Sequence, residues 1–194
     1  PPLRRRDGLP NDPSTDAAGD GLPPTRGITG LVYRSIQGGT RLVGDGLDGL
    51  LAPFDSALSG AAPSPRRDAM VAALNGVLGD HLLRSGNPLA LPMQLRQAGR
   101  PLDPQALGDK APGHVLLLVH GLCMSDLGWR RNGHDHGETL AHALGAAPVY
   151  AFYNSGLHIS QNGLALAELL EQLVQQWPVP LQRLTIVGHS MGGL

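Results

Sequence analysis

"RLTIVGHSMGGL", residues 183–194, decides how the rest of the chain is read. An apolar run from Leu184 to Val187 feeds straight into Gly188-His189-Ser190-Met191-Gly192, a G-x-S-x-G pattern. The glycines have a steric reason to be there. A serine on so sharp a turn holds a strained backbone, and side chains at Gly188 and Gly192 would strike neighbouring chain. Such a turn lifts the Ser190 hydroxyl above the end of a sheet, at the start of the next helix. The helix start offers free N–H groups and partial positive charge to a developing anion. Ser190 is therefore the candidate nucleophile, with the side chain of His189 turned away from it.

Working outward, "HVLLLVH" (114–120) is a continuous apolar run of the kind found in a strand buried on both faces. "HGETLAHALG" (136–145) predicts a short helix closed by Gly145, and "APVYAFYN" (147–154) the next strand. "SQNGLALAELLEQLVQQWP" (160–178) predicts a helix with Leu166, Leu169, Leu170, Leu173, Val174 and Trp177 on one side, ended by Pro178. "RLTIVGH" is a third strand. Strands alternating with helices of this length predict an α/β fold with right-handed crossovers and a mostly parallel sheet. "VLLLVHGLCMSD" then places His120-Gly121 directly after the earlier buried strand. A loop there can supply a second main-chain donor beside the serine turn. The expected oxyanion donors are the N–H groups of Leu122 and Met191, with Gly121 letting the loop approach closely.

Upstream the texture changes. Residues 1–26 are dense in Pro, Gly, Asp and Arg and read as a disordered leader. Residues 27–86 read as an amphipathic helical segment. Ile28, Leu31, Val32, Ile36, Val43, Leu47, Leu50, Leu51 and Phe54 recur at mostly helical spacing, with Gly38-Gly39 as a weak point. In "SPRRDAMVAALNGVLGDHLLRSG", Ser64 is the expected N-cap and Pro65 the first helical residue. The stripe is Met70, Val71, Leu74, Val77, Leu78 and Leu82, and the stop falls near Gly86. The two runs predict a helical hairpin. Peripheral membrane contact through 28–82 is open, and packing against the downstream domain is the plainer expectation. Residues 87–194 form the α/β part, opening with a short strand, a turn and a second strand in "LALPMQLRQAGRPL".

Composition excludes several classes. A formal net charge of −1 and no long basic run leave no nucleic-acid footprint. No run approaches the ~20 apolar residues a spanning helix needs. A single cysteine, Cys123, rules out an intrachain disulfide. The chain begins at Pro1 rather than Met, which fits a processed or truncated start. The cytoplasm is the default compartment, and a lost signal peptide would change it.

Strand–"HG"–helix–strand–helix–strand–"GHSMGG" resembles the α/β-hydrolase superfamily, in its lipase and esterase branch. "LTIVGHSMGGL" with the "HGL" loop is most similar to the GPI inositol-deacylase-like or triacylglycerol-lipase-like hydrolases. The resemblance covers about residues 92–194. It implies hydrolysis of carboxylic esters, acyl or lipid esters before others, through an acyl-serine intermediate. It matches Ser190 to the nucleophile and Leu122 and Met191 to the oxyanion hole. Gly188, His189, Gly192, His120 and Gly121 match the supporting positions, and no cofactor or metal is implied. The implied chain order is Ser, then Asp or Glu, then His. Only Met191, Gly192, Gly193 and Leu194 follow Ser190. The chain is therefore expected to be the N-terminal half of such a domain, with later strands missing and little activity of its own. A non-catalytic binding or interaction module of the same fold is the alternative.

The remaining polar residues have plain readings beside sharper ones. His114, His142 and His158 are expected at helix, strand-end or loop positions. In "NGHDHGE" (132–138), His134 and His136 are too close for i, i+4 ligation, so a solvated loop is favoured over a metal site. Cys123 is expected to be a small buried hydrophobe. Trp129 either lines the acyl pocket or packs at the sheet edge. Asn154, Ser155 and His158 either face a cleft at a strand's carboxyl end, or Asn154 forms a turn while Ser160 caps the next helix.

Overall fold

The computed structural model describes residues 64–194. The leader expected at 1–26 and the first helical run at 28–54 lie outside the described residues, and so does any pairing of that run into a hairpin.

Helix α1 (Pro65–Arg84) begins where expected. Ser64 is the N-cap, its Oγ accepting from Arg67 N at 3.2 Å, and Pro65 sits where a missing N–H leaves nothing unpaired. Gly86, just past the end, takes a left-handed φ of +64°. Val71 and Leu82 are buried against Leu89, with Met70, Leu74 and Leu78 packed beside them. The buried face is wider than the predicted stripe, because it also holds Ala72, Ala73, Asn75 and Gly79. Asn75 pays for its burial with three bonds. Its Nδ2 donates to Val71 O (2.8 Å) and Leu89 O (2.7 Å), and its Oδ1 accepts from Leu91 N (2.9 Å).

Strands β1 (Gln94–Gln97) and β2 (Arg100–Pro101) form the expected hairpin, turned by Ala98 and Gly99 at φ +50° and +76°. Strand β3 (His114–Val119) is buried along nearly its whole length. Val115, Leu116, Leu117 and Leu118 each contribute about 1.5–3 kcal/mol of burial. The stretch expected to be a solvated loop is instead a second hairpin. Strands β4 (Arg130–Arg131) and β5 (His134–Asp135) pair around Asn132-Gly133, both at positive φ. Asp135 then caps helix α2 (His136–Leu144), which Gly145 closes at φ +62°.

Strand β6 (Ala147–Phe152), helix α3 (Ile159–Gln176) and strand β7 (Arg183–Gly188) follow as predicted. Two details differ. His158 rather than Ser160 is the N-cap of α3, in a capping box with Gln161. Val174 is half exposed, since α3 turns only its Leu173–Trp177 seam fully inward.

The sheet is mixed, in the order β2-β1-β6-β3-β7. β6, β3 and β7 run parallel, and β1 joins β6 antiparallel. Alternation along β3 sends Val115, Leu117 and Val119 toward Leu173 and Trp177 of α3, and Leu116 and Leu118 toward Ala141 of α2. The helices thus cover opposite faces of one sheet. From β3 the chain leaves to the α2 face. From β7 it turns to the α3 face, where Met191 packs. Adjacent parallel strands leaving in opposite directions open a crevice between their carboxyl ends.

Candidate active site

Ser190 stands in that crevice. It is exposed and has a φ of +54°, a left-handed conformation that a non-glycine residue adopts only under constraint. The constraint is visible on both sides. A Cβ at Gly188 would lie 2.5 Å from Gly192 O, and one at Gly192 would lie 2.5 Å from the carbonyl oxygens of Val119 and His120. His189 N donates to Val119 O at 2.9 Å, which extends the β3–β7 ladder to the brink of the turn. The glycines expected to be sterically required are so. From Ser190 the described chain runs as a 3-10 turn, Ser190–Gly193. The early N–H groups of such a turn have no intrahelical acceptor, and Met191 N is one of them. Ser190 Oγ makes no hydrogen bond with any described residue.

The loop after β3 meets this turn at Gly121. A Cβ there would lie 3.1 Å from Ser190 Cβ and 3.1 Å from His189 O, so the two segments touch through a glycine. Leu122 follows, half exposed at 50%. His120 is fully buried and stacks on Tyr153, ring centroids 4.3 Å apart. Burial drives its pKa down to about 4, against a smaller upward pull from its bond to Gly121. The imidazole is therefore neutral, with Nδ1–H donating to Gly121 O at 2.9 Å and Nε2 buried without a partner among the described residues. Tyr153 OH donates to His120 O at 2.6 Å. His120 supports the loop and lies outside the solvent-facing crevice.

The other candidates divide cleanly. His189 is exposed and sets its ring edge-on to Trp129 at 6.2 Å. Trp129 packs with the α2-side cluster, which favours its role as a packed aromatic. His114 Nε2 pairs with Thr185 Oγ1 at 2.9 Å, and His142 lies exposed on α2. Asp135 is occupied by Gly137 N, Glu138 N, Arg130 Nε and Tyr150 OH. Burial works against its charge, yet those donors hold its pKa below the ordinary carboxylate value. Among the described residues no group of three His, Cys, Asp or Glu side chains is arranged to hold a metal. Cys123 is only half-buried and sits at φ +58°, so it is a loop residue in a strained conformation rather than a core hydrophobe. Burial raises its thiol pKa.

Asn154 and Ser155 are buried and bonded rather than turned to the crevice. Asn154 Nδ2 donates to Gly79 O, and its Oδ1 accepts from Gly156 N. Ser155 Oγ accepts from Cys123 N at 3.0 Å. An apolar cleft of about 100 Å³ does open beside the serine turn, lined by Val119, Tyr153, Ile159, Leu166, Met191 and Leu194 among others. Tyr153 and the Asp68–Arg96–Asp126 cluster escaped the sequence reading, and Ser155 entered it as a cleft-facing candidate, not as the acceptor for Cys123 N–H. Each acts across a long sequence separation, and the single local signal, Ser155 following a strand end, resembles any turn. Comparison of the chain with family models, curated proteins and solved structures found no match.

Proposed function

We propose that the chain carries the nucleophile turn and oxyanion loop of a serine hydrolase of the α/β-hydrolase kind, lipase- or esterase-like, acting on carboxylic esters of acyl or lipid character. The observation that carries this is Ser190 at φ +54° on a glycine-locked turn, in contact with the Gly121 loop at the carboxyl ends of two adjacent parallel strands. Ser190 Oγ adds to the ester carbonyl carbon and gives its proton to a general base. The N–H groups of Leu122 and Met191 receive the oxyanion. The alcohol leaves with that proton, and water hydrolyses the acyl-serine. No His or carboxylate among the described residues hydrogen-bonds Ser190, so the base and the acid come from outside them. The apolar cleft beside Met191 suits an acyl chain.

A fluorophosphonate probe applied to the full-length protein tests this. Labelling is expected at Ser190 and is abolished in Ser190→Ala. Absent labelling, or labelling that survives the substitution, removes the nucleophile assignment and leaves a non-catalytic binding module of the same fold.

A further inference from the structure

Helix α1 lies outside the α/β alternation, yet it is in backbone contact with both loops that leave the carboxyl edge of the parallel strands. A Cβ at Gly76 would lie 2.5 Å from Cys123 Sγ and 2.7 Å from Cys123 Cα and N. A Cβ at Gly79 would overlap the amide of Asn154, and one at Gly156 would overlap Asn75 O. The glycines of Asn75-Gly76-Val77-Leu78-Gly79 form a notch into which loops 121–126 and 154–156 are seated, and the helix bends there, at Leu78 (φ −120°, ψ 15°). The two loops are tied to each other by Cys123 N–H donating to Ser155 Oγ. A second tie lies one end away. Arg96 of β1 pairs with Asp68 of α1 at 2.7 Å and reaches Asp126 of the same loop at 3.5 Å, its guanidinium lying 3.6 Å from the Phe152 ring centroid.

We propose that α1 braces the oxyanion loop, with Gly76 and Ser155 acting as positioning residues that hold Cys123 in its left-handed conformation and so anchor the Gly121–Met124 turn that presents the Leu122 N–H. Cys123 at φ +58° is disfavoured by about 1–2 kcal/mol in isolation. A notch that seats its Cα and a hydroxyl that accepts its N–H supply what keeps it there. Leu122 itself is half exposed and contributes little packing of its own. These contacts orient the Leu122–Cys123 peptide, and the preceding peptide, which carries the Leu122 N–H, is held through Gly121 O by His120 Nδ1 and by Met124 N at 3.3 Å, closing the same turn. The catalytic consequence, and only that, rests on the hydrolase proposal above.

The test uses the full-length protein and two variants, Gly76→Ala, which fills the notch, and Ser155→Ala, which removes the acceptor without adding bulk. Amide hydrogen exchange at Cys123 is expected to rise about tenfold or more in each, while β3 amides keep their protection. With a p-nitrophenyl acyl ester, kcat falls about a hundredfold and KM stays within about twofold, the pattern of a lost transition-state donor. If Gly76→Ala does not fold, Ser155→Ala carries both measurements. Unchanged exchange at Cys123 overturns the brace. Raised exchange with unchanged kcat overturns its link to the oxyanion donor. A wild-type protein that neither labels nor turns over ester defeats the hydrolase proposal alone, and the exchange rates still decide the brace.

Discussion

His120 shows how a single side chain near the crevice can matter without touching a substrate. Its ring is buried, neutral and stacked on Tyr153, with a pKa near 4 in the fold against about 6.5 in an open chain. A base whose folded pKa is depressed binds fewer protons when native. Its contribution is fully present above pH 6.5 and is lost as pH falls toward 4, a span worth roughly 3 kcal/mol. Asp126 works in the opposite direction, because burial raises its pKa and the protonated form is favoured in the fold, although Arg96 opposes that. We therefore expect urea-derived stability to fall between pH 6.5 and 4.5, and His120→Gln to show a shallower fall over that window. Asp126→Asn should steepen the fall. A wild-type stability flat across this range contradicts a neutral buried imidazole. Ser190 belongs to the other kind of residue, one whose constraint is local and visible: the flanking glycines state the backbone geometry in five consecutive letters.

At the scale of elements, Asp135 joins three of them. It caps α2 through Gly137 N and Glu138 N, accepts from Tyr150 OH of β6 at 2.6 Å, and pairs with Arg130 across the β4–β5 hairpin. Burial and the bond to Asp135 together push the Tyr150 hydroxyl pKa upward, so the phenol remains a donor throughout the working range. Asp135→Ala removes a cap and leaves Tyr150 OH unpaired, and it should destabilise the protein by about 2–4 kcal/mol in urea unfolding. Asp135→Asn, which can still accept, should lose less than half as much. Equal losses would mean that charge, and not hydrogen bonding, holds the junction. The sequence announced β3, α2, β6, α3 and β7 because each is either a continuous apolar run or a helical stripe that lies within one window. It did not announce β4–β5, whose strands are two residues long, although Asn132-Gly133 was a usable turn signal. Nor could it place α1 against the Cys123 loop, since Gly76 and Cys123 meet only through the tertiary fold. His158 took the cap from Ser160 for a similarly local reason that composition hides: its ring nitrogen accepts from Ser160 N and Gln161 closes the box.

For the whole molecule, the decisive asymmetry is between the two sides of the sheet. On one side the β1–β2 hairpin closes the parallel strands with two short antiparallel strands, a common way to blunt an edge. On the other, β7 is the last strand among the described residues, and it is neither short nor charged along its middle. Register with β3 pairs Leu117 with Ile186 and so puts Ile186 on the α3 face, yet it is 51% exposed because α3 covers Leu184 and not the strand's far half. A six-residue edge with Leu184, Ile186 and Val187 along its middle is a template for pairing with another chain. The 194-residue chain on its own is accordingly expected to self-associate through β7. Ile186→Lys, which adds a charge to that face without emptying the core, should shift it toward monomer in light scattering after size exclusion. Stability at low protein concentration should change by less than about 0.5 kcal/mol, since a half-exposed position carries little packing. Arg100→Lys on the opposite edge is the control and should leave the distribution unchanged. Self-association that survives Ile186→Lys would locate the contact elsewhere, and a chain that is monomeric from the outset would show that β7 is protected by something its exposure does not reveal.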